Sequence, residues 1–102
     1  MSVNETTKAK FHPGQIVATP GALEALQDAG QQPHEFLVRH LSGDWGDLDD
    51  EDRNLNEAAV IDGSRILSAY TTRKKERLWV ITEASDDHGR RLCTTILLPS
   101  EY

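Results

Sequence analysis

The sequence predicts a single α+β domain, about three N-terminal helices packed on a three- to four-stranded antiparallel sheet. Three observations carry this. Apolar residues recur at helical spacing, between capping residues, as far as Gly63. Beyond Gly63, three short runs are rich in Ile, Val, Leu, Thr, Tyr and Trp, the residues that suit a pleated surface. Finally, 102 residues suffice for one core and leave no room for a second. Helices followed by a meander is the order expected when helices cover one face of a sheet.

Residues 1–10 are polar and without periodicity, and read as a disordered tail ahead of a domain spanning 11–102. Gln15 to Thr19 is a short candidate strand. Thr19 then suits a helix N-cap, because Pro20 fits the first helical position and Ala22, Leu23, Ala25 and Leu26 follow at helical spacing. Gly30 ends that helix. Pro33 opens a second one through Leu41, with Phe36, Leu37 and Leu41 on one stripe, His40 in its last turn and Gly43 as its stop. Ser42-Gly43-Asp44-Trp45-Gly46 reads as a tight turn. Asp49 caps a third helix whose acidic start, Asp50, Glu51 and Asp52, suits a helix N-terminus. Leu55, Ala58, Ala59 and Ile61 are its expected buried face, and Gly63 ends it. The strands are Arg65 to Thr71, Leu78 to Glu83 and Leu92 to Leu98, with Leu67, Val80 and Ile96 expected beneath the helices. Charged turns, Arg73 to Glu76 and Asp86 to Arg91, join them.

The formal charge is −6 and unevenly placed. Residues 1–62 hold twelve acids against four bases, whereas 63–102 hold five against seven. An acidic total disfavours nucleic acid at long range, yet a local basic patch still binds phosphate, because charges beyond about 8 Å are screened. Cys93 is the only cysteine, so no internal disulfide and no cysteine-based zinc site forms within one chain. No run approaches the ~18 apolar residues of a membrane span. Without an export signal at its start, the chain is expected in the cytoplasm.

No phosphate-binding glycine loop, nucleophile elbow or His-Glu-x-x-His pair is present. The acidic run from Asp44 to Asp52 lacks the sixth-position glycine and terminal glutamate of a calcium loop in register, and the four histidines do not fall at metal-ligand spacing. Neither a metal nor a cofactor is implied. His40 stands out because the carbonyl end of a helix raises an imidazole's pKa, which suits either proton transfer or simple helix capping. Arg65, Ser68, Tyr70, Thr82, Thr94 and Thr95 would bind an oxyanion if several shared an uncovered sheet face; ordinary strand propensity also explains them. Trp45 could stack on a base or plug the edge of a core. Asn56, a poor helix former in mid-helix, reads as a hydrogen-bonding partner of the nearby loop. Cys93 reads as a buried small hydrophobe.

Taken together, Gly14-Gln15-Ile16-Val17-Ala18-Thr19-Pro20-Gly21, Arg39-His40 with Gly43-Asp44-Trp45-Gly46, Asn56-Glu57, Arg65 to Tyr70, Trp79 to Glu83 and Thr94 to Pro99 resemble a family of short bacterial proteins carried on plasmids and genomic islands. Such proteins are variously labelled plasmid-related or restriction-modification subunits. The resemblance spans residues 11–102 and implies a mobile-element setting. Ser85 to Cys93 departs from it, being a longer and more charged excursion than the family's Asp-Arg step into the paired threonines. The order of a helix-borne histidine, a Gly-Asp-Trp-Gly turn and hydroxyl-bearing strands is also similar to metal-independent nucleases of the barnase, EndoU, colicin and RelE-like group. That similarity implies His40 as acid or base, Arg65 as phosphate ligand, and Ser68, Thr82 and Thr95 as site lining.

Two functions follow as expectations. One is a metal-independent RNase acting on RNA phosphodiesters with those residues. The other is a non-catalytic acidic binding protein, an anti-defence inhibitor that mimics nucleic acid, whose partner is a protein of a host defence system. Its binding residues would be Asp44, Trp45, Asn56, Tyr70, Asp49, Asp50 and Asp52.

Overall fold

A computed structural model describes residues 9–102. Four strands and three helices follow in the order β1 (Gln15–Ala18), α1 (Pro20–Ala29), α2 (Pro33–Leu41), α3 (Asp50–Asp62), β2 (Ile66–Thr71), β3 (Arg77–Thr82) and β4 (Cys93–Leu97), with a 3-10 turn at Pro99–Glu101. The fold is α+β, with a strand ahead of the helices. Expected tail residues 1–8 lie outside the described residues, while Lys10 donates its backbone N–H to Leu41 O. None of the described helices is long and apolar enough to cross a membrane.

Local chemistry sets the helix limits. Thr19 caps α1 by accepting from Ala22 N–H, Pro20 opens the helix and Gly30 closes it in the left-handed region. Asp49 caps α3 by accepting from Asp52 N–H, and Gly63 closes it in the same conformation. A distant residue reinforces the start of α1. Glu101 accepts from the Thr19 hydroxyl and from the N–H groups of Gly21 and Leu98, which holds its carboxyl below the usual range.

The sheet is mixed rather than antiparallel, in the order β1-β4-β3-β2. β2, β3 and β4 form the expected meander, but β1 lies parallel to β4, pairing Gln15 with Cys93 through Ala18 with Ile96. The connection between them carries α1, α2, α3, β2 and β3, far longer than the dozen residues a parallel pair needs.

Register assigns the two faces. Ile66, Ser68 and Tyr70 of β2 align with Thr82, Val80 and Leu78 of β3, and Thr94 and Ile96 of β4 continue two of these rows. All eight are at most 1% exposed. α1 covers β4 and α2 covers β3, bringing Ala22, Leu26 and Phe36 onto Tyr70, Leu78, Val80 and Ile96. Leu67 therefore does not join Val80 and Ile96. It pairs with Ile81 and Thr95 on the opposite face, where Tyr102 rests edge-on against Trp79. Cys93 is half-buried rather than a core residue.

α3 lies beside β2, the sheet's edge, and this explains its polarity. Of its expected buried face only Ala59 is buried; Ala58 is exposed, as are Leu55 (62%) and Ile61 (88%). The inward position goes to Asn56, whose amide donates to Leu67 O at 2.8 Å and accepts from Leu67 N at 3.3 Å. It thus bonds the strand rather than a loop. Trp45 O accepts from Ala69 N–H and Asp47 N–H donates to Ala69 O, so the β2 edge is closed at alternate residues. That approach requires glycine at 46: its φ is +79°, and a Cβ there would stand 2.0 Å from Ala69 O.

Asn56→Leu is expected to lower stability by about 2 kcal/mol, because it strips partners from a strand N–H and C=O while keeping the volume. Urea unfolding measures this, and an unchanged midpoint would contradict the role given to Asn56.

Candidate functional site

Three of the residues expected to be catalytic do meet. His40 projects from α2 onto the sheet, with Nδ1 at 2.6 Å from Ser68 Oγ and Nε2 at 2.9 Å from Thr82 Oγ1. Thr82 Oγ1 lies 2.6 Å from Thr94 Oγ1, which donates to Pro13 O at 2.7 Å. The direction of every proton in this chain follows from its end. A carbonyl only accepts, so Thr94 spends its hydroxyl proton on Pro13, and Thr82 must donate to Thr94. Thr82 then has only a lone pair to offer His40, so Nε2 carries the imidazole proton. Nδ1 is left bare and accepts from Ser68. The ring is a neutral Nε2–H tautomer with both nitrogens engaged.

Its surroundings keep it so. His40, Ser68, Thr82 and Thr94 are all 0% exposed. Phe11 stands edge-on to the imidazole at 5.2 Å between ring centres and Trp45 at 6.1 Å, while Arg91 lies over the Phe11 ring. Burial first, and repulsion from Arg91 second, push the His40 pKa down to about 3. The expected upward shift from the helix terminus is overturned, because removing the ring from water outweighs the partial charge of a few carbonyls. Chemically the arrangement is a fixed polar strut across three strands, without a proton to exchange with solvent.

The other members expected of that site are elsewhere. Arg65 is exposed and bonds the Tyr102 hydroxyl, and Thr95 shares the sheet face opposite His40. Tyr70 is buried, donates to Asp44 O at 2.6 Å, and burial pushes its pKa up. Trp45 is 4% exposed and its indole N–H donates to Glu57 at 2.8 Å, so the ring plugs the core edge with Ala59 and Ile66. The polar strand residues thus divide between faces, and those that converge do so beneath the helices.

The acidic residues are at the surface. Asp44 is clasped by Arg39, with Nε at 2.7 Å, which holds its carboxyl below the usual range. Asp47 accepts from Thr71 Oγ1 and Asp49 from Asp52 N–H. Asp47, Asp49, Asp50, Glu51 and Asp52 have no ion pair among the described residues. Arg53, the nearest cation in sequence, donates instead to the carbonyls of Leu48 and Gly46. Asp52 also rims a groove of about 260 Å³ between α3 and β2, lined by Leu48, Leu55 and Leu67 with Arg65 across from it. Sequence reasoning missed this groove because it assigned Leu55 and Leu67 to the core. It also omitted Thr94 from the His40 group, although the alternation Thr94, Ile96 marks both as inward.

Because an unfolded histidine titrates near 6.5, the unfolded chain takes up a proton below that value which the folded chain refuses until about pH 3. Stability is therefore whole above about pH 6.5 and falls as the medium acidifies. Between pH 7 and 4.5 this group alone is expected to cost about 2–3 kcal/mol. His40→Gln should be less stable at pH 7 yet lose that component of the slope. Urea unfolding at both pH values measures it, and an identical slope in H40Q would refute the assignment.

No family model, curated protein or solved structure matches this chain.

Proposed function

We propose that the chain is a non-catalytic binding domain that engages a basic protein surface through the turn and helix start at 47–52 and the groove beside them. The observation that carries this reading is the conjunction of five carboxylates without a cation partner among the described residues and a groove, half polar and half apolar in its lining, that exposes Leu55. Protein interfaces combine an apolar centre, which supplies most of the affinity, with a polar rim that excludes water and selects the partner. Leu48, Leu55 and Leu67 suit the centre, and Asp49, Asp50, Glu51 and Asp52 the rim. A negative array also speeds encounter with a basic partner and makes it salt-dependent. Following the resemblance to mobile-element proteins, the partner is a nucleic-acid-binding protein of a host defence system, whose phosphate-binding surface the carboxylates occupy. What weighs against a metal-independent RNase is the burial of His40, since a general acid or base must reach the proton it moves.

Capture from a bacterial lysate with intact protein, followed by affinity measurement on the retained partner, tests the reading. Asp49→Asn, Asp50→Asn and Asp52→Asn together keep the N-cap, because asparagine caps as well as aspartate. The triple variant is expected to bind at least about ten-fold more weakly, equivalent to about 1.4 kcal/mol, and Leu55→Ser similarly. Unchanged affinity in both would remove this surface from the interface. In parallel, mixed RNA incubated without metal should stay intact; cleavage by the wild type that H40Q lacks would favour the RNase instead.

A further inference from the structure

A second concavity lies at the other end of α3. The segment leading to β1, the C-terminal turn of α3 and the loop between β3 and β4 enclose a cleft of about 780 Å³, within the ~300–1,000 Å³ usual for small-molecule sites. Its character is opposite to that of the chain as a whole. Lys10, His12, Arg90 and Arg91 line it, against Asp62 as its one carboxylate. Asp62 is occupied in accepting Ser64 N–H at 2.8 Å.

The cations are held differently, and the difference matters. Arg91 is 8% exposed and pinned by carbonyls, its Nη1 donating to Ser64 O and Glu83 O and its Nη2 to Ala59 O. No carboxylate pairs with it among the described residues. It is a fixed positive floor, stacked on Phe11 at 5.5 Å. Lys10 and Arg90 are at the rim, only loosely associated with Glu57 at 3.9 Å and Asp86 at 3.8 Å, beyond hydrogen-bond reach. His12 accepts Gly14 N–H at Nδ1, so that in the neutral ring Nε2 carries the proton, with no acceptor among the described residues. Between these charges sit apolar side chains that no described residue covers: Ile61 is 88% exposed and Leu92 66%. Their exposure beside Phe11 costs solvation free energy that an apolar ligand would recover.

We propose that this cleft binds a small organic anion, a carboxylate or phosphate joined to an apolar body, with Phe11, Ile61 and Leu92 receiving the body and Lys10, His12 and Arg90 the anionic group. Arg91 acts as a positioning residue, supplying a positive floor. A chain of net charge −6 has no general affinity for anions, so anion capture here reports the cleft itself. The site is independent of the acidic surface proposed for protein binding.

Titration of ¹⁵N-labelled protein with octanoate, phenyl phosphate, inorganic phosphate and 1-octanol, followed by amide shifts, tests it. Octanoate, phenyl phosphate or both should move amides in 10–14, 60–63 and 89–92 saturably, with Kd on the order of 1 mM for ligands this small; which of the two binds more tightly identifies the preferred head group. The Lys10→Glu, Arg90→Glu double variant, altered only at exposed positions, should keep the folded spectrum and bind at least about ten-fold more weakly. Ile61→Ser should weaken both organic anions and leave inorganic phosphate unaffected. The proposal is overturned if neither organic anion gives saturable shifts, if 1-octanol matches octanoate, if inorganic phosphate matches phenyl phosphate, or if the double variant retains full affinity.

Discussion

The polar chain from Pro13 O through Thr94, Thr82 and His40 to Ser68 is the constraint around which the rest of the molecule is arranged. Each hydroxyl has one proton and each is committed in one direction, so the chain functions only when α2, β2, β3, β4 and the segment before β1 are all in place. In a low-dielectric interior an unmatched hydroxyl or imidazole costs about 1–3 kcal/mol, and no buried side-chain atom among the described residues is left unmatched. Non-directional packing of Leu26, Phe36, Val80 and Ile96 would tolerate sliding of α2 along the sheet. The His40 bonds do not.

The same frame explains why α3 places two large apolar residues, Leu55 and Ile61, in water. α3 is set against a strand edge rather than a sheet face, and an edge asks for hydrogen bonds before it asks for hydrophobic cover. Asn56 and the Trp45 to Asp47 backbone meet that demand. What remains of the α3 surface is free to carry Leu55 in mid-helix, on the side of Asp52, and Ile61 in the last turn, on the side of Arg90 and Arg91. The polarity of α3 and its two exposed large apolar residues are thus one fact.

Features decided by neighbours in sequence were legible in the sequence. Thr19, Pro20 and Gly30, or Asp49 and Gly63, announce helix limits because capping involves groups within a turn, and the three later strands show in composition. What depended on contacts distant in sequence was not legible. Nothing within Gln15 to Ala18 distinguishes a parallel from an antiparallel partner. Ile66-Leu67-Ser68-Ala69-Tyr70 offers an apolar residue to either face, and the matter is decided by Ser68 meeting a histidine on α2. For His40 the local rule and the global one have opposite signs, and burial wins. His40 meets Ser68 and Thr82 because strand register turns both hydroxyls inward beneath α2, and its inaccessibility depends on Phe11 and Trp45, which no spacing ties to it.

The parallel alignment of β1 with β4 has a kinetic side. Pro13 and Thr94 are 81 residues apart, and Thr19 meets Glu101 across 82. As the chain leaves the ribosome, β1 emerges early and has no strand to join until nearly everything after it has been made. α1 and α2 can form meanwhile from local contacts, but the sheet they cover is completed last, from its β4 side. Loop closure over such a span is slow relative to hairpin formation. Released before β4, the nascent chain would hold an unpaired strand bearing Ile16 and Val17 and a Thr82 hydroxyl without its Thr94 acceptor. Completion of β4 is therefore the step on which β1, and with it the whole sheet, waits.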